Sequence, residues 1–407
     1  MEKMLSLEKA RELTLAQIQP LSSETIEIHR ALNRILAQDT PSFVSLPSAR
    51  ISFRDGFALN SRDSAAGQKL KLSTPIFAGN PRTEPMARGE AAWIATGAMV
   101  PDGADAVLEE ELVTRLEDAI ELSRPAAPGM NIREEGEEFK KGELLLGKGA
   151  LLSSREIVLL IAGGYFEVEV IRRPRLWVVA VGDELRHPGT VARAGQTYPS
   201  GGWLAGILSE ELGCSLGRVI LAEDDSEALL EAIPDPAEAD LVLTVGGTGF
   251  GRRDIIGESL RQLGAEIIFQ GVKIRPGHSL IFSKKEQQAI FSLPGMISAA
   301  EIGFQLLVRP AILKLQAKPA RDLEMALVKT GQDLESLKDQ LHILRGKLER
   351  RGDQLWVEPL RRKNCHSEIA EADGYIIIEE NRGPIKAGDP VNFIIHPHRL
   401  RNFFPKP

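Results

Sequence analysis

The sequence predicts a multidomain α/β protein organised around a three-layer domain with a parallel-rich sheet. From Arg175 onward, apolar strand-like runs alternate with helical segments, the rhythm of a parallel sheet covered on both faces. On either side lie segments with a different, β-rich rhythm. The length of 407 residues exceeds what one core normally organises, so three or four domains are expected.

In chain order, Leu5 to Ile18 carries Leu7, Ala10, Leu13, Leu15 and Ile18 near one face and predicts a helix; Ile26 to Leu36 repeats the pattern and predicts a second. Between Pro41 and Gly149, proline and glycine punctuate short β-like runs such as AAWIATGA and DAVLEEELV, predicting a small β-rich module. Ser153 to Ala162 predicts a helix capped by Ser153 or Ser154, with Glu156 placed for a capping box, and YFEVEVI alternates as a strand. The α/β section then runs LWVVAV, a helix from about Gly202 to Leu212, GRVILA, a helix through Leu229 and Leu230, DLVLTV, AEIIFQ, QAIFSL, and a helix near Ala299 to Leu315. Ala317 to Arg321 reads as a linker. QLWVEPL, GYIIIEE and PVNFIIH predict a separate small β domain.

A composition of 43% hydrophobic and 26% charged residues belongs to the soluble globular class. The net charge of -7 offers no basic footprint for phosphate neutralisation, so no nucleic-acid partner is expected. Cys214 and Cys365 are the only cysteines, too few for a disulfide framework or a zinc site, and point to a reducing compartment. MEKMLSLEKARELTLAQI is charged throughout and IVLLIAGG is too short to span a bilayer, so a cytoplasmic location and no membrane association are expected.

Ligands of open parallel sheets bind beyond the carboxyl ends of the strands. Three strand exits are polar here: GDEL after LWVVAV, with Asp183 and Glu184; EDDS after GRVILA, with Glu223, Asp224 and Asp225; and GGTGFGRRD after LVLTV, ending on Asp254. Glycine lets backbone N–H groups approach a phosphate, and a following helix points its positive end at the same place. Carboxylates beside that anion suit Mg²⁺, which commonly takes one or two acids together with substrate phosphates. The pattern matches neither GxGxxG nor GxxxxGK[ST]. Taken alone, EDD reads equally well as a cap, with Asp224 or Asp225 capping the helix that begins near Ser226.

Several ordered stretches resemble the MoeA and gephyrin E-domain family, the molybdopterin molybdenumtransferases. LPSARISFRDGFAL (Leu46 to Leu59) is similar to that family's segment ending in MDGYA, ATGAMVPDGADAVLE (Ala95 to Glu109) to TGAPVPxGADAVV, NIREEGEEFKKGELLL to NxRxxGEDxxxG, and VAVGDEL to STGDEL. The resemblance covers nearly the whole chain. It implies a helical linker domain (1–45 and 140–172), an inserted β-rich domain (46–139), a MogA-like molybdopterin-binding α/β domain (173–317) and a C-terminal β domain (318–407). It also implies a homodimer whose active site joins the α/β domain of one subunit to the linker and inserted domains of the other. Molybdopterin adenylyltransferase, and molybdoenzymes or their chaperones, are implied as further partners. The implied reaction deadenylates adenylylated molybdopterin (molybdopterin-AMP) and inserts molybdate at the dithiolene, with Mg²⁺ assisting and AMP leaving.

Carried onto this chain, the resemblance assigns catalytic roles to Asp55, Glu184, Asp225 and Asp254, the last three also as metal ligands. Thr96, Glu138, Gly246, Gly247, Thr248, Gly249, Lys273, Arg275, His278, Ser298 and Ser367 are assigned to cofactor and substrate binding, with Arg361 or Arg362 adding charge near Ser367. By residue type alone, Asp55 before Gly56 and Thr96 before Gly97 also suit ordinary turns, Cys365 reads as an incidental thiol, and Trp203 suits a helix-to-sheet contact as well as a pterin ring. The chain departs from the family at RPGHS (Arg275 to Ser279) for KPGKP, LPGMISAA (Leu293 to Ala300) for LPGNPVSA, YPSGG (Tyr198 to Gly202) for YDTN or YDSN, and Glu138 for Asp. The nucleotide end therefore keeps the pattern while the metal-insertion end departs from it. A working transferase and a non-catalytic molybdopterin- or cofactor-binding paralogue acting as carrier or sensor both fit this distribution. A nucleotide-processing hydrolase on the same α/β module fits it less well, because it would not match ATGAMVPDGADAVLE or the C-terminal β domain.

Overall fold

The computed structural model describes residues 4–248, 255–319, 323–360 and 366–396. Gly249, Arg252, Arg253, Asp254, Arg361, Arg362, Cys365 and the tail from 397 onward lie outside the described residues. Two compact units divide the chain, one drawn from Met1–Ser23 and Ile171–Pro407, the other Glu24–Val170.

Helix α1 (Leu7–Gln17) begins as the sequence predicts, with Ser6 Oγ accepting from Lys9 N–H at 3.2 Å. The predicted second helix over Ile26–Leu36 does not form. Ser23–Glu27 is a strand, Ile28–Arg30 a single 3-10 turn, and Asn33 sits at φ 63, which ends any helical run. Ile28 N–H donates to Phe166 O at 2.9 Å and Leu36 N–H to Ala150 O at 2.9 Å, so strand-like partners claim the backbone. β-branched Thr25, Ile26 and Ile28 favour that outcome. The apolar spacing that imitated a helix still serves burial: Ile28, Ala31 and Leu36 pack with Leu160, Val168 and Val170. Helix α2 (Ser154–Ala162) follows with Ser153 as N-cap and a complete capping box to Glu156.

The rest of the Glu24–Val170 unit is built around a six-stranded sheet in the order Ala106–Glu109, Gly56–Leu59, Glu90–Ile94, Lys69–Ile76, Ala119–Leu122, Val113–Arg115, beside the two-stranded pairs Ile51–Ser52 with Ile132–Arg133 and Thr40–Pro41 with Leu144–Leu146. Both faces are covered. Phe57, Leu59 and Leu108 enter one core, and Ala58, Ile94 and Val107 the other, which is why these strands read as short apolar runs without alternation. Gly56 is required by close approach, since a Cβ there would lie 2.3 Å from Leu108 O.

In the larger unit the sheet order is Ser215–Ala222, Arg175–Val181, Leu241–Val245, Gln288–Leu293, Ile281–Lys285, Glu266–Gln270. The first four strands are parallel, and Ile281–Lys285 runs antiparallel to both of its neighbours, so five of the six strands share one direction and give the parallel-rich sheet predicted. Strand Ile281–Lys285 escapes sequence reading because it forms a hairpin with Gln288–Leu293 around Glu286, at φ 55. Helices α3 (Ser200–Glu211), α4 (Ser226–Ala232), α5 (Ile255–Gln262), α6 (Ile297–Gly303) and α7 (Arg309–Leu315) cover the sheet, α6 and α7 being joined through a π-helical turn at Phe304–Val308. α1 belongs to this unit: Ala10 and Ile18 share a core with Ile312 and Leu315, and Lys314 Nζ donates to Leu15 O at 2.6 Å.

Strands Leu341–Arg351, Gln354–Pro359, Met325–Thr330, Pro390–Ile395 and Gly374–Ile378 follow in that order, and a further pairing of the first with the last closes them on themselves. The short strand Ile274–Arg275 joins the outer edge of Leu341–Arg351. Helix α8 (His366–Glu371) precedes Gly374–Ile378. Among the described residues no helix is long and apolar enough to cross a membrane.

Asp240 ties the start of the α/β section together. Its carboxylate accepts from Arg172 Nη1 and Nη2 at 2.6 and 2.7 Å, and from Arg175 N–H at 2.8 Å. Burial opposes its ionisation, but the hydrogen bonds from Arg172 and Arg175 outweigh burial and hold the carboxyl down at about 2. A depressed carboxyl stabilises the fold above its unfolded pKa and loses that contribution as pH falls through the folded value. Asp240→Asn is therefore expected to be less stable than wild type by about 2 kcal/mol at pH 6, with the gap closing between pH 4 and 2. Urea melts of both proteins across that range check it.

Candidate active site

The polar strand exits meet at the carboxyl edge of the α/β sheet, tied by identifiable bonds. Asp183 Oδ1 accepts from Asp224 N–H at 2.9 Å, linking the GDEL exit to the EDD exit. Gly246, at φ 110, presses so closely on the strand before GDEL that a Cβ would lie 2.2 Å from Val181 O. Gly246 N–H donates to Leu293 O at 3.0 Å, joining the Gly-rich exit to LPGMIS. Thr248 Oγ1 lies 3.1 Å from Ser279 Oγ, both buried, so the Gly-rich exit also meets the RPGHS loop. Five segments separated widely in sequence thereby share one edge.

A cavity of about 220 Å³ opens at that edge. Val181, Glu184, Ser200, Gly201, Val245 and His366 are among the residues lining it. Glu184 is exposed, and its carboxylate lies over Gly182, where a Cβ would come within 2.6 Å of Oε2. Asp225 is the N-cap of α4, with Oδ1 accepting from Glu227 N–H at 2.8 Å and Ala228 N–H at 3.0 Å. Its capping role is thus real, and Oδ2 is the oxygen that remains for another task. Ser298 is buried in the first turn of α6, which Met296 opens without a side-chain cap. Arg275 and His278 are exposed, and the backbone at Lys273 is held by Lys273 N–H to Leu5 O at 2.8 Å. Ser367 is exposed beside His366 on α8.

In the Glu24–Val170 unit, Asp55 and Thr96 come together. Asp55 Oδ1 accepts from Thr96 N–H at 2.7 Å and from Thr96 Oγ1 at 2.9 Å. The backbone bond from Thr96, reinforced by its hydroxyl, lowers the Asp55 carboxyl below its ordinary value of 3.8, keeping it ionised near neutral pH. Glu138 lies on the neighbouring loop, where Arg133 Nη2 approaches its Oε1 at 3.4 Å. Arg133 and Ile132 pair with Ile51 and Ser52, which places the Glu138 loop beside the segment leading to Asp55.

Residues 5–164 match the MoeA N-terminal region (domain I and II), 177–314 a probable molybdopterin binding domain, and 328–395 the MoeA C-terminal region (domain IV). A molybdopterin molybdenumtransferase of Haemophilus influenzae is 33% identical over 409 residues, covering 98% of this chain and all of its own. The chain belongs to the MoeA family. A Staphylococcus aureus molybdopterin molybdenumtransferase is 33% identical over 314 residues, 76% of this chain and 75% of its own. The crystal structure of a MoeA molybdopterin biosynthesis protein from Pyrococcus horikosii superposes with a TM-score of 0.83 at 29% identity, covering 97% of this chain and 99% of that one.

Against the MoeA pattern, sequence reasoning selected loops that the fold does bring to one sheet edge, yet it missed two pairings. Ser200 Oγ and His366 Nε2 lie 2.8 Å apart across the cavity wall. Glu301 of α6 and Arg345 form a buried ion pair, with Arg345 Nε to Glu301 Oε2 at 3.1 Å and a second, shorter bond from Nη2. Both partners sit far apart in sequence and in no recognisable motif, so only the fold reveals them.

Among the described residues no group of three or more His, Cys, Asp or Glu is placed to hold a metal by itself. Glu184 and Asp225, on tied loops, offer the one or two carboxylates that Mg²⁺ uses when substrate phosphates complete its shell. The donor chemistry therefore suits a metal that arrives with a phosphorylated ligand.

Proposed function

We propose that this chain acts in molybdenum cofactor biosynthesis as a molybdopterin molybdenumtransferase, cleaving AMP from adenylylated molybdopterin and delivering molybdate to its dithiolene. The observation that carries the reading is the convergence of the GDEL, EDD and Gly-rich exits on one sheet edge with Glu184 on the cavity wall. Fold alone would not justify it, since the same architecture hosts many chemistries. The named relatives support it.

In this reading Gly247 and Gly249 present backbone amides to phosphate, while Gly246, whose N–H is taken by Leu293 O, lets the loop pass close against Val181, with Thr248 held beside Ser279. Glu184, Asp225 through Oδ2, and Asp254 would hold Mg²⁺, which when bound supplies charge neutralisation at the phosphate oxygens. Asp55, kept ionised by Thr96, orients the attacking group, and Glu138 reaches from the adjoining loop. Lys273, Arg275, His278, Ser298 and Ser367 serve the oxyanion end, where Arg275 supplies the two parallel N–H groups that suit molybdate. We further propose the four-part division at 1–45 with 140–172, 46–139, 173–317 and 318–407, the first segment sending α1 into the core of the α/β section, a homodimer, and a cytoplasmic location.

The test is AMP release by the full-length chain supplied with adenylylated molybdopterin, molybdate and Mg²⁺. Asp55→Asn is expected to reduce turnover by roughly tenfold while the melting temperature stays unchanged. Equal losses of activity and stability would assign Asp55 a structural role instead.

A further inference from the structure

Nothing in the proposed chemistry uses His366, the neighbour of Ser367 on α8. In the structure it lines the cavity that Glu184 also lines, and its Nε2 lies 2.8 Å from Ser200 Oγ. Ser200 is the first residue of α3, and Pro199 before it supplies no side-chain cap. The hydroxyl at the entrance to this helix is thus oriented by a side chain from a different part of the unit.

How His366 arrives there is legible in the bonds around it. Leu360 N–H donates to Arg345 O at 2.9 Å on one side of α8, and Asp373 N–H donates to Gly346 O at 2.9 Å on the other. Asp373 Oδ2 then accepts from Leu348 N–H at 2.9 Å. Both flanks of α8 therefore hang on strand Leu341–Arg351. That strand is fastened to α6 by the buried Arg345–Glu301 pair, and α6 itself follows the LPGMIS exit at the same sheet edge. The C-terminal barrel, held at Glu301, carries one wall of a cavity built otherwise from the α/β section.

We propose that His366 is a positioning residue of this site: by holding the Ser200 hydroxyl it sets the wall of the cavity that receives the adenylylated pterin. The inference rests on the functional reading above. A residue acting through Ser200 affects how well the ligand is seated, before and during reaction alike, so its loss raises KM and leaves kcat largely in place. Glutamine, whose amide can stand in for the ring nitrogen as a partner of the hydroxyl, should rescue what alanine loses.

The experiment compares wild type, His366→Ala, His366→Gln, Ser200→Ala and the His366→Ala/Ser200→Ala double variant as full-length proteins. KM and kcat are read from AMP release, and Kd for adenylylated molybdopterin by calorimetry with metal withheld. His366→Ala is expected to raise KM and Kd roughly three- to tenfold, the size of one hydrogen bond, with kcat within about twofold. His366→Gln is expected to return most of the loss, and the double variant to be no worse than either single one. Unchanged KM and Kd in His366→Ala, a loss confined to kcat, failure of glutamine to rescue, or additive single effects would each overturn the proposal. A wild type that binds without releasing AMP removes the transferase reading and leaves the His366 comparison to be decided on Kd. A wild type that turns over beside an unaffected His366→Ala removes this inference alone, and one that neither binds nor turns over removes both.

Discussion

Glu301→Gln lowers the stability of the larger unit by about 3 to 5 kcal/mol, because it leaves the Arg345 guanidinium buried without its counter-charge. Glu301 and Arg345 are each only 5% exposed at the side chain, so water cannot substitute for the missing partner. The hydroxyl of Tyr375 lies in the same buried cluster; burial, then the Glu301 charge, pushes it well above its ordinary pKa, so it stays neutral and offers no replacement anion. Replacing both partners by apolar residues, Glu301→Leu with Arg345→Met, removes the orphaned charge and is expected to recover most of the loss. Chemical denaturation of the wild type and the two variants checks this. A single variant within 1 kcal/mol of wild type would show that the pair does not hold the barrel to α6. Because the same pair anchors the strand that carries α8, Glu301→Gln should also raise KM in the direction expected for His366→Ala.

The second large effect falls on the Gly-rich exit. Gly246→Ala is expected to destabilise the protein by about 3 kcal/mol, combining a φ of 110 that alanine does not favour with a methyl group 2.2 Å from Val181 O. Neither backbone can yield without moving a strand end, since Val181 ends one central strand and Gly246 follows the next. Gly264→Ala makes the matched comparison: its φ of +77 is equally left-handed, but nothing lies within 4 Å of its Cβ position. That variant should lose only about 1 kcal/mol. Equal melting temperatures for the two alanine variants would mean that the close approach to Val181 has no energetic weight.

These two effects mark what the sequence carries and what it leaves out. Strand runs such as LWVVAV and DLVLTV are continuous apolar stretches because they are buried on both faces, and their polar exits are legible for the same reason: the composition changes where burial stops. GGTGFG announced its backbone requirement in glycine, and at Gly246 the structure supplies the cause. Ile26–Leu36 misled because a helical spacing of apolar residues can equally well be buried by an irregular chain folded over α2, and Asn33 is the residue that signals the difference. Strand Leu341–Arg351 was hidden because its second half, GKLERR, holds a single apolar residue, Leu348 facing the core while Lys347, Glu349, Arg350 and Arg351 are exposed. Pairings such as Glu301 with Arg345 and Ser200 with His366 join residues 44 and 166 positions apart, and no local pattern encodes them. The departures at Arg275, Met296, Pro199 and Gly201 were visible as letters, while the tie between Thr248 and Ser279 became visible only when the loops were brought together.

The measurement that bears most directly on the account is AMP release from adenylylated molybdopterin by the purified full-length chain, with molybdate and Mg²⁺ present. Multiple turnovers that require Mg²⁺, with molybdenum recovered on the pterin product, are the predicted result. Binding of the adenylylated pterin without AMP release, under conditions where a MoeA relative turns over, would contradict the account and identify the chain as a carrier built on the same fold.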